Sequence, residues 1–135
     1  MAGVLVVIVL DTHTVIWWTL DPTKLSKRAA KLCSEFNKTP AYLSSISIWE
    51  IGIKIKKGKL DLGISAANFT DRLKRTGLVH IVPVDETIWL RNLELAWDHR
   101  DSSDRTIVAT AQIKNVPVLT KDKTIRQFKG VKTIW

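Results

Sequence analysis

At 135 residues, with 45% hydrophobic and 25% charged residues, the chain has the composition of one globular domain, not of a disordered or fibrous protein. Its 21 Lys and Arg against 13 Asp and Glu leave a net charge of +8. That surplus suits a polyanionic partner, and nucleic acid fits better than membrane because no long basic amphipathic helix occurs. A basic surface kept soluble by its charge is the plainer alternative.

The chain opens on an unbroken apolar run, residues 4–10, rich in Val and Ile and closed by Asp11-Thr12-His13. Such a run predicts a strand buried on both faces, hence a parallel sheet with helices above and below. It lacks a charged leader and is too short to span a membrane, so it reads as strand rather than signal peptide or anchor. A helix over 12–20 follows, stopped by Asp21-Pro22. Thr23 or Ser26 caps a second helix running to about residue 37, with Cys33 on its apolar face beside Ala29, Leu32 and Phe36. As the single cysteine, Cys33 excludes an intramolecular disulfide, suits a reducing cytoplasm and reads as a small core residue.

Lys38-Thr39-Pro40 predicts a turn and 41–44 a strand. Ser47-Ile48-Trp49-Glu50 matches a capping box and predicts a helix over 47–57, ending in Lys54, Lys56 and Lys57. Ser65 caps a helix to 76, with Gly77 as its stop, and 78–84 is a strand. Asp85 opens a helix through 96 expected to bury Ile88, Trp89, Leu93 and Ala96. Loop 97–103 leads to a helix over 104–114, with Ser103 a suitable cap. A strand over 116–119, a short helix through 128 and a strand over 131–134 close the chain. This alternation implies βαβ units: a single α/β domain, a parallel sheet sandwiched between helices, with no linker or internal repeat.

In such sheets ligands sit beyond the carboxyl ends of the strands. Asp11 and Asp122 follow strands there, Glu50 lies early in a helix after a strand, and Asp104 opens another helix. Carboxylates gathered in one pocket repel one another unless a cation compensates, and all-oxygen sites suit Mg²⁺ or Mn²⁺. Such an ion lowers the pKa of a bound water and stabilises in-line displacement at phosphorus, so a basic protein with an acidic notch has the parts of a metal-dependent nuclease. Each acid also has a plainer reading. Asp11 could cap a helix, Glu50 could serve the capping box, Asp101 and Asp104 could be loop and cap residues, and Asp122 could belong to a turn.

Four blocks in order are Leu-Asp-Thr-His near the start, Ser-Ile-Ser-Ile-Trp-Glu-Ile-Gly, His-Arg-Asp-Ser-Ser-Asp-Arg-Thr-Ile-Val-Ala-Thr-Ala, and Val-Leu-Thr-Lys-Asp. From about Val6 to Val131 the chain resembles the PIN-domain ribonucleases, and among them the VapC-type toxins of bacterial type II toxin–antitoxin systems. The resemblance implies an α/β/α fold and Mg²⁺- or Mn²⁺-dependent endoribonuclease activity through water held by an acidic quartet. It places that quartet, as catalytic and metal-holding residues, on Asp11, Glu50, Asp104 and Asp122. It places supporting roles on Thr12, Thr120 and Asp101. It further implies an RNA substrate, a cognate antitoxin, a homodimer and a cytoplasmic setting without membrane. One departure is Ser102-Ser103 where the family commonly has Pro-Phe, which bears on loop rigidity.

Arg100 and Arg105 flank Asp104 and are expected RNA contacts, with salt-bridging to the acids as the alternative; Lys54 and Lys57 could track phosphates or be merely solvated. His13 could touch substrate, whereas His80, inside an apolar strand, reads as structural. The tryptophans read as core or dimer-interface residues rather than base-stacking platforms. The rival function is a catalytically silent PIN-like module that only grips RNA or a partner. A phosphohydrolase would want Asp where His13 stands, and no glycine-rich phosphate loop is present.

Overall fold

Five short strands, β1 (Val9–Leu10), β2 (Ala41–Ser44), β3 (Val79–Val82), β4 (Val118–Leu119) and β5 (Thr133–Ile134), form one sheet in the computed structural model, which describes residues 6–135. All pairings are parallel, in the order β3-β2-β1-β4-β5. Val9 pairs with Tyr42 on one side and Val118 on the other. The first strand is shorter than the apolar run predicted. Residues 4 and 5 of that run lie outside the described residues, Val6 and Val7 lie before the strand, and Ile8 contributes only its carbonyl, which accepts from Tyr42 N–H at 2.8 Å. Pro40 and Pro117, just before β2 and β4, lack the N–H that an extended ladder would need. Val9 N–H instead donates to Pro117 O at 3.0 Å.

Seven helices surround the sheet among the described residues: α1 (Thr12–Leu20), α2 (Lys27–Cys33), α3 (Ser45–Lys56), α4 (Ala66–Arg75), α5 (Glu86–Glu94), α6 (Ser102–Lys114) and α7 (Lys123–Gln127). Alternation along β1 divides the core. Ile8 and Leu10 pack with Val15, Ala29, Phe36, Ile51 and Leu73 from α1 to α4 and the turn after α2. Val9 faces the other way, with Ile107 and Ala111 of α6. Leu10, Leu43 and Phe36 are at most 1% exposed, and each such burial is worth about 1.5–3 kcal/mol. No helix among the described residues is long and apolar enough to cross a membrane.

Local signals held where they were unopposed. Ser26 caps α2, Ser65 caps α4 and Asp85 caps α5, each accepting a backbone N–H three residues on. Gly77 sits at φ 68°, the left-handed conformation a helix stop requires. Cys33 is a core residue, its thiol pushed up to about 11 by burial.

Other expectations are corrected. The α2 helix ends at Cys33 and turns replace its expected last part. The α3 cap is Ser44, whose Oγ accepts from Ile46 N–H at 3.2 Å, so the capping box at Ser47 and Glu50 does not form. In α5 the buried face is Ile88 and Asn92, continued by Leu95; Trp89 is 43% and Leu93 77% exposed, and Ala96 is exposed too. His80 is also exposed, its ring beside Tyr42 at 6.0 Å.

Candidate active site

Strand order reverses between β1 and β4, and the crevice beyond their carboxyl ends is where such sheets hold ligands. Asp11 leaves β1 there and is 3% exposed. Its Oδ1 accepts from Thr12 N–H and its Oδ2 from the Thr120 hydroxyl, both at 2.8 Å. The Thr120 oxygen in turn accepts from Asp122 N–H at 3.0 Å, so one hydroxyl ties together the loops after β1 and β4. Asp122 Oδ1 accepts from Thr124 N–H at 2.7 Å and caps α7. Asp11 and Asp122 therefore are helix caps, and they stand at the switch point as well.

Asp104 is the third residue of α6, behind an N-cap that is Asp101 rather than Ser103. Asp101 Oδ1 accepts from Asp104 N–H at 2.9 Å, while Ser103 turns into the interior at 6% exposure. A carboxylate at this cap meets both the free N–H groups and the positive end of the helix dipole. Asp104 Oδ2 shares a hydrogen bond of 2.7 Å with His99 Nε2.

Burial pushes the Asp104 carboxyl up to about 6; the His99 hydrogen bond pulls down against it, and Asp101, Asp11 and Asp122 add upward repulsion. Burial likewise raises Asp11, opposed by Thr120, His13 and Thr12 N–H and aided by Asp122. Asp11 and Asp122 thus both act on Asp104, and Asp122 on Asp11, across three separate segments. Glu50 approaches differently. Ser47 Oγ lies 2.8 Å from Thr12 Oγ1, and Lys54 Nζ lies 3.2 Å from His13 Nε2. Glu50 is between them in helical register, so this face of α3 brings it, half-buried, to the entrance of α1. Among the described residues no three His, Cys, Asp or Glu side chains are grouped closely enough to form a ready-made metal cage. A cavity of about 300 Å³ opens beside the acids, lined by Asp11, His13, Trp17, Lys121 and Asp122.

Residues 8–131 match the PIN domain. The chain belongs to the PIN domain family. It is similar to Ribonuclease VapC22 of Mycobacterium tuberculosis, 24% identical over 131 residues that cover 95% of this chain and 98% of the relative. Its fold is that of VapBC2 from Rickettsia felis bound to a promoter DNA fragment, with TM-score 0.69 at 14% identity over 96% of this chain and 98% of that one. A toxin–antitoxin complex from Klebsiella pneumoniae gives TM-score 0.62 at 19% identity over 95% and 96%.

The basic residues around this crevice divide sharply. Arg105, expected to face RNA, has every donor engaged within the chain. Its Nε donates to Asn92 Oδ1 at 3.1 Å, and its two terminal nitrogens donate to the carbonyls of Asn92, Leu95, Trp97 and His99. It is a clamp on the loop before α6, and among the described residues it forms no salt bridge to the acids. Arg100 and Lys57 are exposed, and Lys54 is half-buried against His13. Three residues at this crevice carried weaker sequence signals for the positions they take: Ser47, the partner of Thr12; His99, the partner of Asp104; and Trp17, a wall of the cavity. Only His99 had a local clue, lying five residues before an acid at a helix start.

Proposed function

We propose that the chain is a VapC-type endoribonuclease, the toxin of a toxin–antitoxin pair, that hydrolyses RNA phosphodiester bonds with a divalent cation, Mg²⁺ or Mn²⁺. The observation that supports this reading is the Thr120 hydroxyl tying the Asp11 and Asp122 loops together at the switch point, with Asp104 at the start of α6 close enough to be raised further by both of their charges. Similarity to a relative named as a ribonuclease, and to chains solved in toxin–antitoxin assemblies, supports it.

The donor set fits the ion. Every acid offers oxygen, the element hard divalent ions take, and a cation offsets the repulsion and burial that now favour protonation. The loose spacing suits an ion that keeps several waters and shares its shell with substrate phosphate. Asp11, Asp104, Asp122 and Glu50 would hold it. When bound, the cation supplies Lewis acidity, making water a nucleophile near neutral pH and offsetting charge on the phosphate. Thr120 and Thr12 N–H fix both oxygens of Asp11. Asp101 sets the start of α6, and His99 orients Asp104. Arg100, Lys54 and Lys57 would meet RNA phosphates, and the positive surface draws the strand in.

Trp49 (60% exposed), Trp89, Leu90 and Leu93 leave an apolar surface on α3 and α5 larger than scattered single residues would. That surface supports a partner protein, as a second copy of the chain or the antitoxin.

The direct test is cleavage of a mixed RNA pool by purified protein with Mg²⁺, Mn²⁺ or EDTA, beside Asp11→Asn. Metal-dependent cleavage lost in the variant is expected. Cleavage indifferent to EDTA and to Asp11→Asn removes the acid site from the reaction; RNA binding with no cleavage and no metal uptake favours the silent module instead. Affinity should also fall steeply with salt, with log K declining by about 0.7 per log unit of salt for each phosphate contacted on a single strand. A flat response between 50 mM and 200 mM salt, roughly the range over which such losses are seen, would exclude phosphate contacts as the source of binding.

A further inference from the structure

The cavity beside Asp11 and Asp122 is completed by two rings and an ammonium group rather than by further acids. Trp17 is half-buried and packs on the core, with its ring set edgewise to Trp135, centroids 5.9 Å apart at 63°. His13 stands exposed at the mouth, 5.9 Å from Trp17 at 45°. Lys121 Nζ lies over the Trp17 ring, 6.0 Å from its centroid, and Lys54 Nζ reaches His13. Cation binding by carboxylates requires none of these groups. A tryptophan held by the core, with a lysine resting over its face, matches the chemistry of an unpaired nucleotide: the base stacks and the phosphate meets ammonium.

We propose that Trp17 is a stacking platform for a nucleobase adjoining the scissile phosphate, with Lys121 and Lys54 neutralising the phosphates on either side. The inference rests on the nuclease reading above and adds a specificity-determining subsite to it. An incoming base takes the place of the Lys121 ammonium on the ring. Lys121 directly precedes Asp122, so the displaced ammonium remains beside the acids, where the RNA backbone passes. The ring face is reached only by a base that has left its own stack, so the cut falls at an unpaired nucleotide.

The test uses the full chain carrying Asp104→Asn, in EDTA so that RNA is not cut by a metal-dependent route, with hexauridylate, hexaadenylate and an abasic ribose-phosphate hexamer as probes. Base-bearing hexamers should bind roughly 10-fold tighter than the abasic one. Adding Trp17→Leu should bring that ratio toward one, and Trp17→Phe should restore most of it. Lys121→Gln should weaken all three probes, the abasic one most, because it removes a phosphate contact and also frees the ring for a base. In parallel, the Trp17 indole N–H resonance should shift with a base-bearing hexamer and stay still with the abasic one. A ratio that survives Trp17→Leu, or an indole signal that ignores the base, overturns the subsite; the resonance decides the matter where Trp17→Leu fails to fold. Equal binding of all three hexamers overturns it as well. Metal-dependent cleavage by wild-type protein is read separately, so a failed subsite and a failed nuclease reading give different results.

Discussion

Asp104→Asn is expected to abolish RNA cleavage while raising the melting temperature of the metal-free protein at pH 8. The carboxyl is 16% exposed, and burial, with Asp101, Asp11 and Asp122 behind it, holds it at about 6 against an ordinary 3.8. Folded protein therefore grips this proton more tightly than unfolded protein does. The Asp104 contribution to stability is fully present below about pH 4, declines as pH rises from there to about 6, and is lost above it. Asparagine removes the buried charge at nearly constant volume and can still meet His99 Nε2.

Melting curves in EDTA at pH 4.5, 6 and 8 should show the variant and wild type converging at the acid end and separating by a few degrees at the alkaline end, points chosen on the order of the shift itself. Added Mg²⁺ or Mn²⁺ should raise the wild-type midpoint more than the variant's, because one charged ligand is gone. The loss of cleavage should be at least about 100-fold, the scale of removing a single charge-stabilising group from an active site. A fully active variant would take Asp104 out of the site; a variant less stable than wild type at pH 8 would show that burial of this charge is not the dominant strain there.

Arg105→Ala, near the start of α6, should be strongly destabilising. Its guanidinium donates to Asn92 Oδ1 and to four backbone carbonyls, those of Asn92, Leu95, Trp97 and His99. Around it, Asn92 Nδ2 also donates to Thr106 Oγ1 at 3.0 Å, and Trp97 stacks on Phe128 with centroids 4.5 Å apart. Removing the fork leaves several carbonyls without their charged partner and frees the segment that sets His99 against Asp104. The expected destabilisation is on the order of 3 kcal/mol, measured by urea unfolding. Arg105→Lys should recover little of it, since an ammonium has three donors on a point charge and cannot span the same acceptors. Cleavage should fall in both variants through the loosened His99–Asp104 contact. Wild-type stability in Arg105→Ala would mean that the loop is held by Leu95 and Trp97 packing alone.

These two residues also mark where local reading succeeds and where it stops. Asp11, Asp101, Asp104 and Asp122 were visible as acids at element boundaries because capping is short-range: a polar side chain, a strand end and a helix start lie within a few residues. For the same reason the bounds of α1 and β2, and the caps at Ser26, Ser65 and Asp85, were legible without tertiary information. The motif at Ser47 failed because Ser44 offers the same cap three residues earlier, and Ser47 Oγ finds Thr12, 35 residues away. Nothing within α3 chooses between those two serines.

The engagement of Arg105 within the chain was illegible on the same principle. Its acceptors are mainly backbone carbonyls, which every residue carries, so no side-chain pattern could announce them. Trp89 and Leu93 were placed by helical periodicity, which gives the face of a helix but not whether a neighbour covers it. Sequence alone determined the layered α/β class, the acids at the strand ends and the family, because these follow from hydrophobic period, caps and ordered motifs. Only the tertiary structure decided which acids lie near one another, that Arg105 is engaged within the chain and which ring lines the cavity. Those depend on contacts between residues far apart in the chain, and their energies exist only once the sheet has brought β1 beside β4.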